Sequence, residues 1–124
     1  MRRCVQTLDI VAPGIAPNAR DELREIAFGS WEGRTLEWLE RHEAAAVASR
    51  RRDPVSFRPP GGESFADVAQ RLLAFTGMVR SAAPRGVIVV GHRGTLGVLE
   101  RLLRDLPLRA PGVVPLEPGE LRFI

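Results

Sequence analysis

The sequence contains no lysine; all 18 of its basic residues are arginine. Together with abundant Ala, Gly and Pro, this reads as the codon bias of a GC-rich genome. The sequence pI of about 10.8 follows from arginine never deprotonating. The net charge is only +3, and acidic and basic residues are interleaved. The high pI therefore argues little for nucleic acid, and no nucleic-acid partner is expected. Arg50-Arg51-Arg52 reads as a solvated helix end rather than a polyanion site. There is one cysteine, Cys4, which excludes an internal disulfide and any cysteine-based metal cluster. With two histidines beside it there is no ligand set at a usable spacing, so neither a metal nor another cofactor is expected. No apolar run approaches the roughly 18 residues of a membrane span, and no signal peptide is visible. No membrane partner is expected, and the expected location is cytoplasmic. Internal repeats and low-complexity tails are also absent.

What is present points to one α/β domain spanning residues 1–124, of ordinary apolar content at 44%. The most informative stretch is Val87-Ile88-Val89-Val90-Gly91-His92-Arg93-Gly94-Thr95-Leu96. Four β-branched residues predict a short strand buried on both faces. Leu96, Leu99, Leu102 and Leu103 then recur at helical spacing, predicting a helix that ends near Leu106. Ligands of open α/β sheets bind where a strand ends and a helix begins, and a helix N-terminus suits an anion. His92, Arg93 and Gly94 occupy that junction, so the ligand class expected there is phosphate.

Elsewhere, residues 2–12 place Val5, Leu8 and Val11 or Ala12 on one helical face, and Pro13-Gly14 stops that helix. Asp21 to Ile26 reads as short strand or turn. Thr35 predicts the cap of a helix from Leu36 to about Ser49, with Glu37 and Arg41 at favourable spacing and His42 on its surface. Ser64 predicts the cap of a helix whose inner face is Phe65, Val68, Leu72, Phe75 and Val79. Leu121 to Ile124 predicts a short last strand.

Four pieces stand in a recognisable order: Arg3-Cys4-Val5-Gln6-Thr7; Leu23-Arg24-Glu25 followed by Phe28-Gly29-Ser30-Trp31-Glu32-Gly33; Gly61-Gly62-Glu63-Ser64-Phe65 with Arg71; and Val90-Gly91-His92-Arg93-Gly94. In that order they resemble the histidine phosphatase superfamily, the phosphoglycerate-mutase-like proteins. The resemblance implies a three-layer α/β/α sandwich and phosphoryl transfer through a phosphohistidine. It maps Arg3 onto a pocket arginine, Glu25 onto the proton donor and His92 onto the second, non-nucleophilic histidine. Planar guanidinium and imidazole groups can hold the charge spread over a phosphoryl group in transfer. A carboxylic acid near the leaving oxygen can protonate it, worth roughly 10²–10⁴-fold. Arg93, Gly94, Glu63 and Ser64 are further substrate-binding candidates, although a plain helix cap explains Ser64 equally well.

The family's nucleophile stands in an Arg-His-Gly motif on a central first strand, upstream of the Arg-x-x-Gln-Thr helix. These 124 residues contain no such motif. The expectation is a phosphomonoester hydrolase fold that lacks its first strand, binds a phosphoester or inorganic phosphate, and is catalytically impaired. Losing a covalent nucleophile costs on the order of 10⁶ in rate. A longer native chain, a genuine remnant that binds phosphoesters without turnover, or a non-catalytic phosphate-binding or assembly module completed by strand pairing with a second chain, as in a homodimer, would each fit. The short interval from Trp31 to Gly62 leaves little room for a mutase-type cap, which favours a phosphatase, similar to small bacterial enzymes of the α-ribazole phosphatase type.

Overall fold

The computed structural model describes residues 2–82, 86–109, 117 and 119–124. Five helices carry the architecture: α1 (Arg2–Val11), α2 (Leu36–His42), α3 (Ala44–Arg52), α4 (Phe65–Ala82) and α5 (Arg93–Leu103). Two single 3₁₀ turns, Asp21–Leu23 and Gly29–Trp31, lie between α1 and α2.

The main core forms where α4 crosses α5. Val68, Ala69, Leu72 and Phe75 of α4 pack with Val98 and Leu99 of α5 and with Ile26. The spacing read from the sequence is the spacing buried, with Leu72 and Val68 fully enclosed. Ser64 starts α4 through a reciprocal cap: its Oγ accepts the Asp67 N–H (3.1 Å), and Asp67 Oδ2 accepts the Ser64 N–H (2.8 Å). At the far end, Arg80 of α4 donates to the Leu102 carbonyl (2.8 Å) and to Asp105 (2.7 Å), covering the C-terminus of α5. That helix runs Arg93–Leu103, ending before the expected Leu106, because the chain turns through Asp105 with φ +55°.

A second cluster holds Trp31, Leu39 and Val47, with Phe57 tilted against Trp31 at 5.1 Å. The single helix expected over 36–49 is broken at Glu43, which has φ −134° and ψ 39°. The break turns the Glu43 carboxylate onto the buried Trp31 indole N–H (2.8 Å), which otherwise would lose its partner. His42 is exposed as expected and stacks on Trp38. Arg51 of the Arg50–Arg52 run pairs with Glu40, in keeping with a solvated helix end.

The glycine-rich loops interlock. Glu63 N donates to Ala27 O (2.8 Å) and Ser30 N to Pro60 O (3.0 Å). Gly29, at φ +55°, allows this approach: a Cβ there would sit 2.2 Å from Pro60 O.

Two expectations require correction. The strands expected at 87–90 and 121–124 are not formed, and no strand occurs among the described residues. A strand exists only when a neighbour accepts and donates its ladder bonds, and no described segment lies beside Val87–Val90 in that way. Val87 and Ile88, expected to be enclosed on both faces, are exposed. The last residues are instead tied to α5 through Arg122, which donates to the buried Glu100 at 2.8 Å. The sheet layer of the expected sandwich is therefore not visible among the described residues.

Candidate active site

His92 immediately precedes α5 and has an extended backbone, φ −104° and ψ 152°. Its side chain makes no capping bond to that helix and instead meets the first turn of α1. Arg3 donates to His92 Nδ1 from Nη2 (2.9 Å) and from Nε (3.3 Å). Guanidinium has no acceptor, so Nδ1 is the accepting nitrogen and the neutral ring carries its proton on Nε2. That nitrogen lies 3.5 Å from Cys4 Sγ. Burial, and then the Arg3 charge, hold the His92 pKa below its ordinary value of 6.5, while the Glu25 charge pulls the other way. Burial and the Arg3 charge both favour the neutral ring.

Glu25 lies on the other side of the junction. Its Oε1 accepts from the Ile26 N–H (3.0 Å) and the Thr95 N–H (3.1 Å), and its Oε2 from the Gly94 N–H (3.4 Å). Thr95 Oγ1 donates to the Arg24 carbonyl at 2.7 Å, clasping the same segment. The first-turn N–H groups of α5, expected to face phosphate, are thus directed at the protein's own carboxylate. Gly94 makes room for this contact: a Cβ there would stand 2.8 Å from Glu25 Oε1 and displace the carboxylate.

Between these groups opens a mouth of 560 Å³, lined by Arg2, Arg3, Gln6, Arg24, Glu25 and His92. The structure gathers Arg3, Glu25 and His92 from α1, the segment after the first 3₁₀ turn, and the start of α5. It does not bring the other candidates there. The Arg93 guanidinium is exposed and pairs with Glu117 at 3.3 Å. Ser64 is buried in its cap, where its N–H and Oγ both donate to Asp67. Glu63 lies behind the mouth: its Oε1 accepts from Arg24 (2.7 Å) and Arg71 (3.0 Å), and its Oε2 from the Ala27 N–H (3.1 Å). Burial pushes the Glu63 pKa up, but Arg71, the Ala27 N–H and Arg24 outweigh it and hold the group below its ordinary value.

Arg2, Gln6 and Arg24 line the mouth but were missed in the sequence. Arg2 and Gln6 are one helical turn apart on the face that presents Arg3, and that periodicity was a usable signal. Arg24 had none beyond its place next to Glu25. No group of three or more His, Cys, Asp and Glu side chains among the described residues could hold a metal ion. No described helix is long and apolar enough to cross a membrane.

An imidazole, a carboxylate and several guanidinium groups surround one opening, an arrangement chemically able to hold an oxyanion. The profile of the histidine phosphatase superfamily (branch 1) matches residues 1–124, and the chain belongs to that family. It is 35% identical over 88 residues to 6-phosphofructo-2-kinase/fructose-2,6-bisphosphatase of Arabidopsis thaliana, covering 70% of this chain and 12% of the relative. It is 36% identical over 96 residues to glucosyl-3-phosphoglycerate phosphatase of Mycolicibacterium vanbaalenii, covering 69% of this chain and 41% of that one. Among solved structures, an Escherichia coli protein described as an α-ribazole-5′-phosphate phosphatase superposes with a TM-score of 0.72 at 26% identity. That match covers 86% of this chain and 54% of the other. The α/β fold of the phosphoglycerate-mutase-like proteins is therefore this chain's fold class, and the chain spans about half or less of the length of these relatives.

Proposed function

We propose that this chain binds a phosphate monoester or inorganic phosphate at the Arg3–Glu25–His92 mouth, supplying the anion-holding and proton-donating part of a histidine phosphatase site. The observation that carries the reading is the convergence of these three side chains, 89 positions apart in the case of Arg3 and His92. The relatives named as phosphatases support the same ligand class. In this reading Arg3, with Arg2 beside it, binds the equatorial oxygens and His92 donates from Nε2, while Glu25 is the group placed beside the ester oxygen, where it could act as an acid only once protonated. The remaining histidine, His42, bonds to the Trp38 carbonyl (2.8 Å) in the other cluster and does not serve as nucleophile. Residues 1–124 alone therefore bind phosphoesters without forming phosphohistidine.

Titration calorimetry with inorganic phosphate tests the binding. Arg3→Gln removes a charge-assisted contact worth about 1.5–3 kcal/mol, so affinity falls roughly 10- to 100-fold. Wild-type affinity unchanged by Arg3→Gln overturns the reading. Incubation with p-nitrophenyl phosphate is expected to give negligible turnover and no acid-labile phosphoprotein; enzyme-like rates that survive His92→Ala refute the assigned roles.

A second reading rests on the exposed, unladdered Val87 and Ile88. No described segment ladders with them, and pairing with a second copy would cover them. Light scattering across a concentration series decides it: a dimer disrupted by Ile88→Lys supports strand pairing, and a monomer at all concentrations removes it.

A further inference from the structure

We infer that Arg24 is a specificity residue of the same mouth, selecting phosphoesters that carry a second anionic group a few bonds from the phosphate. The inference rests on the phosphate reading of the Arg3–His92 side and deepens it.

Three observations converge. First, the mouth is larger than its phosphate end requires: its 560 Å³ falls within the roughly 300–1,000 Å³ of pockets that hold a whole organic ligand. Second, the lining is entirely charged or polar, with Arg2, Arg3, Gln6, Arg24, Glu25 and His92 and no aliphatic or aromatic side chain. The polar groups of the ligand outside the phosphate would therefore meet charged side-chain ends, while its carbon skeleton can lie along the arginine stems. Third, Arg24 is built into place. Arg71, itself only 14% exposed, donates to the carbonyls of Glu22 and Arg24 and to Glu63. Glu63, held by Arg71 and by the Ala27 N–H, takes one Nη of Arg24 at 2.7 Å. Glu63 is shared between two guanidiniums, so its single charge does not cancel both. The Arg24 side chain stays half exposed, and none of its other N–H groups has a protein partner among the described residues. A fixed guanidinium with unused donors suits a carboxylate or second phosphate, which it can grip through two parallel bonds. Arg24 is anchored from α4 and the Glu63 loop, whereas Arg3 reaches the mouth from α1. The two cations thus enter from different elements, matching two separated anionic groups.

The test compares 2-phosphoglycolate with ethyl phosphate, two-carbon phosphoesters that differ by one carboxylate, using calorimetry on the full chain. Wild type is expected to favour phosphoglycolate by about tenfold or more, the worth of one charge-assisted pair. Arg24→Gln brings the ratio of the two affinities close to one, and Arg24→Lys, which keeps the charge and the Glu63 pair, leaves an intermediate ratio and guards against a folding defect in the glutamine variant. No wild-type preference overturns the inference, as does a preference that persists in Arg24→Gln or equal weakening of both ligands, which would place Arg24 on the phosphate itself. The phosphate reading fails separately, if wild type binds neither compound or if Arg3→Gln leaves ethyl phosphate binding unchanged.

Discussion

The two sides of the mouth are held by different physics. On one side, Arg24 and Glu25 sit on a segment whose neighbour Ile26 is buried against α4 and α5, and whose backbone carbonyls are tied to Arg71 and Thr95. On the other, α1 presents Arg2, Arg3 and Gln6 but buries none of its residues, and Ile10 is 79% exposed. Its links to His92 are the Arg3 bonds and the Cys4 contact. His92 therefore stands at a seam between a densely packed half and a lightly held one. An oxyanion bound across that seam, as proposed, would cross-link the two halves, and its binding energy would also stabilise the docking of α1.

This contrast can be broken by substitution. Leu72→Ala, in the fully enclosed centre of the packed half, should cost about 2–5 kcal/mol in denaturant unfolding. A cost below about 1 kcal/mol would mean that α4 and α5 are not the stabilising unit. Glu63→Gln should cost about 1–3 kcal/mol, because Arg71 is left with weaker partners. Its pH signature follows from the lowered pKa. The Glu63 contribution is present above the ordinary value of 4.5 and is lost as pH falls through the lower folded value, so acid unfolding of wild type should be steeper than that of the variant.

At the seam, NMR titration should find the His92 midpoint below 6.5, with Arg3→Gln moving it upward. The protonated ring is disfavoured in the folded state, so stability declines as pH drops from 6.5 through the folded midpoint. An unchanged His92 midpoint in Arg3→Gln would show that α1 does not dock as described. The smallest effect is expected on the lightly held side: Ile10→Ala should stay within about 0.5 kcal/mol, and phosphate should increase amide-exchange protection in α1 more than in α4.

Much of the site was legible before any coordinates. His92 stood out because glycines flank it between an apolar run and a periodic helix, and Arg3 and Glu25 because of their motifs. Ser64 read correctly as a cap, since capping is local and spans three residues. Glu63 was misplaced for the opposite reason: its partners Arg24, Ala27 and Arg71 are distant along the chain, and no spacing rule reports such a network. The β-branched run 87–90 signalled a strand but not its partner, because pairing belongs to two segments and periodicity to one.

The amino-acid sequence on its own determined the inner faces of α4 and α5, the caps, the turn glycines and the family, because each is written in neighbours a few positions apart or in short motifs. Only the tertiary structure decided that Glu25 takes the N–H groups of α5, that Arg3 grips His92 Nδ1, and that Arg24 turns into the mouth. Those arrangements depend on which donors and acceptors burial leaves unpaired once the helices have packed, and that competition involves the whole chain.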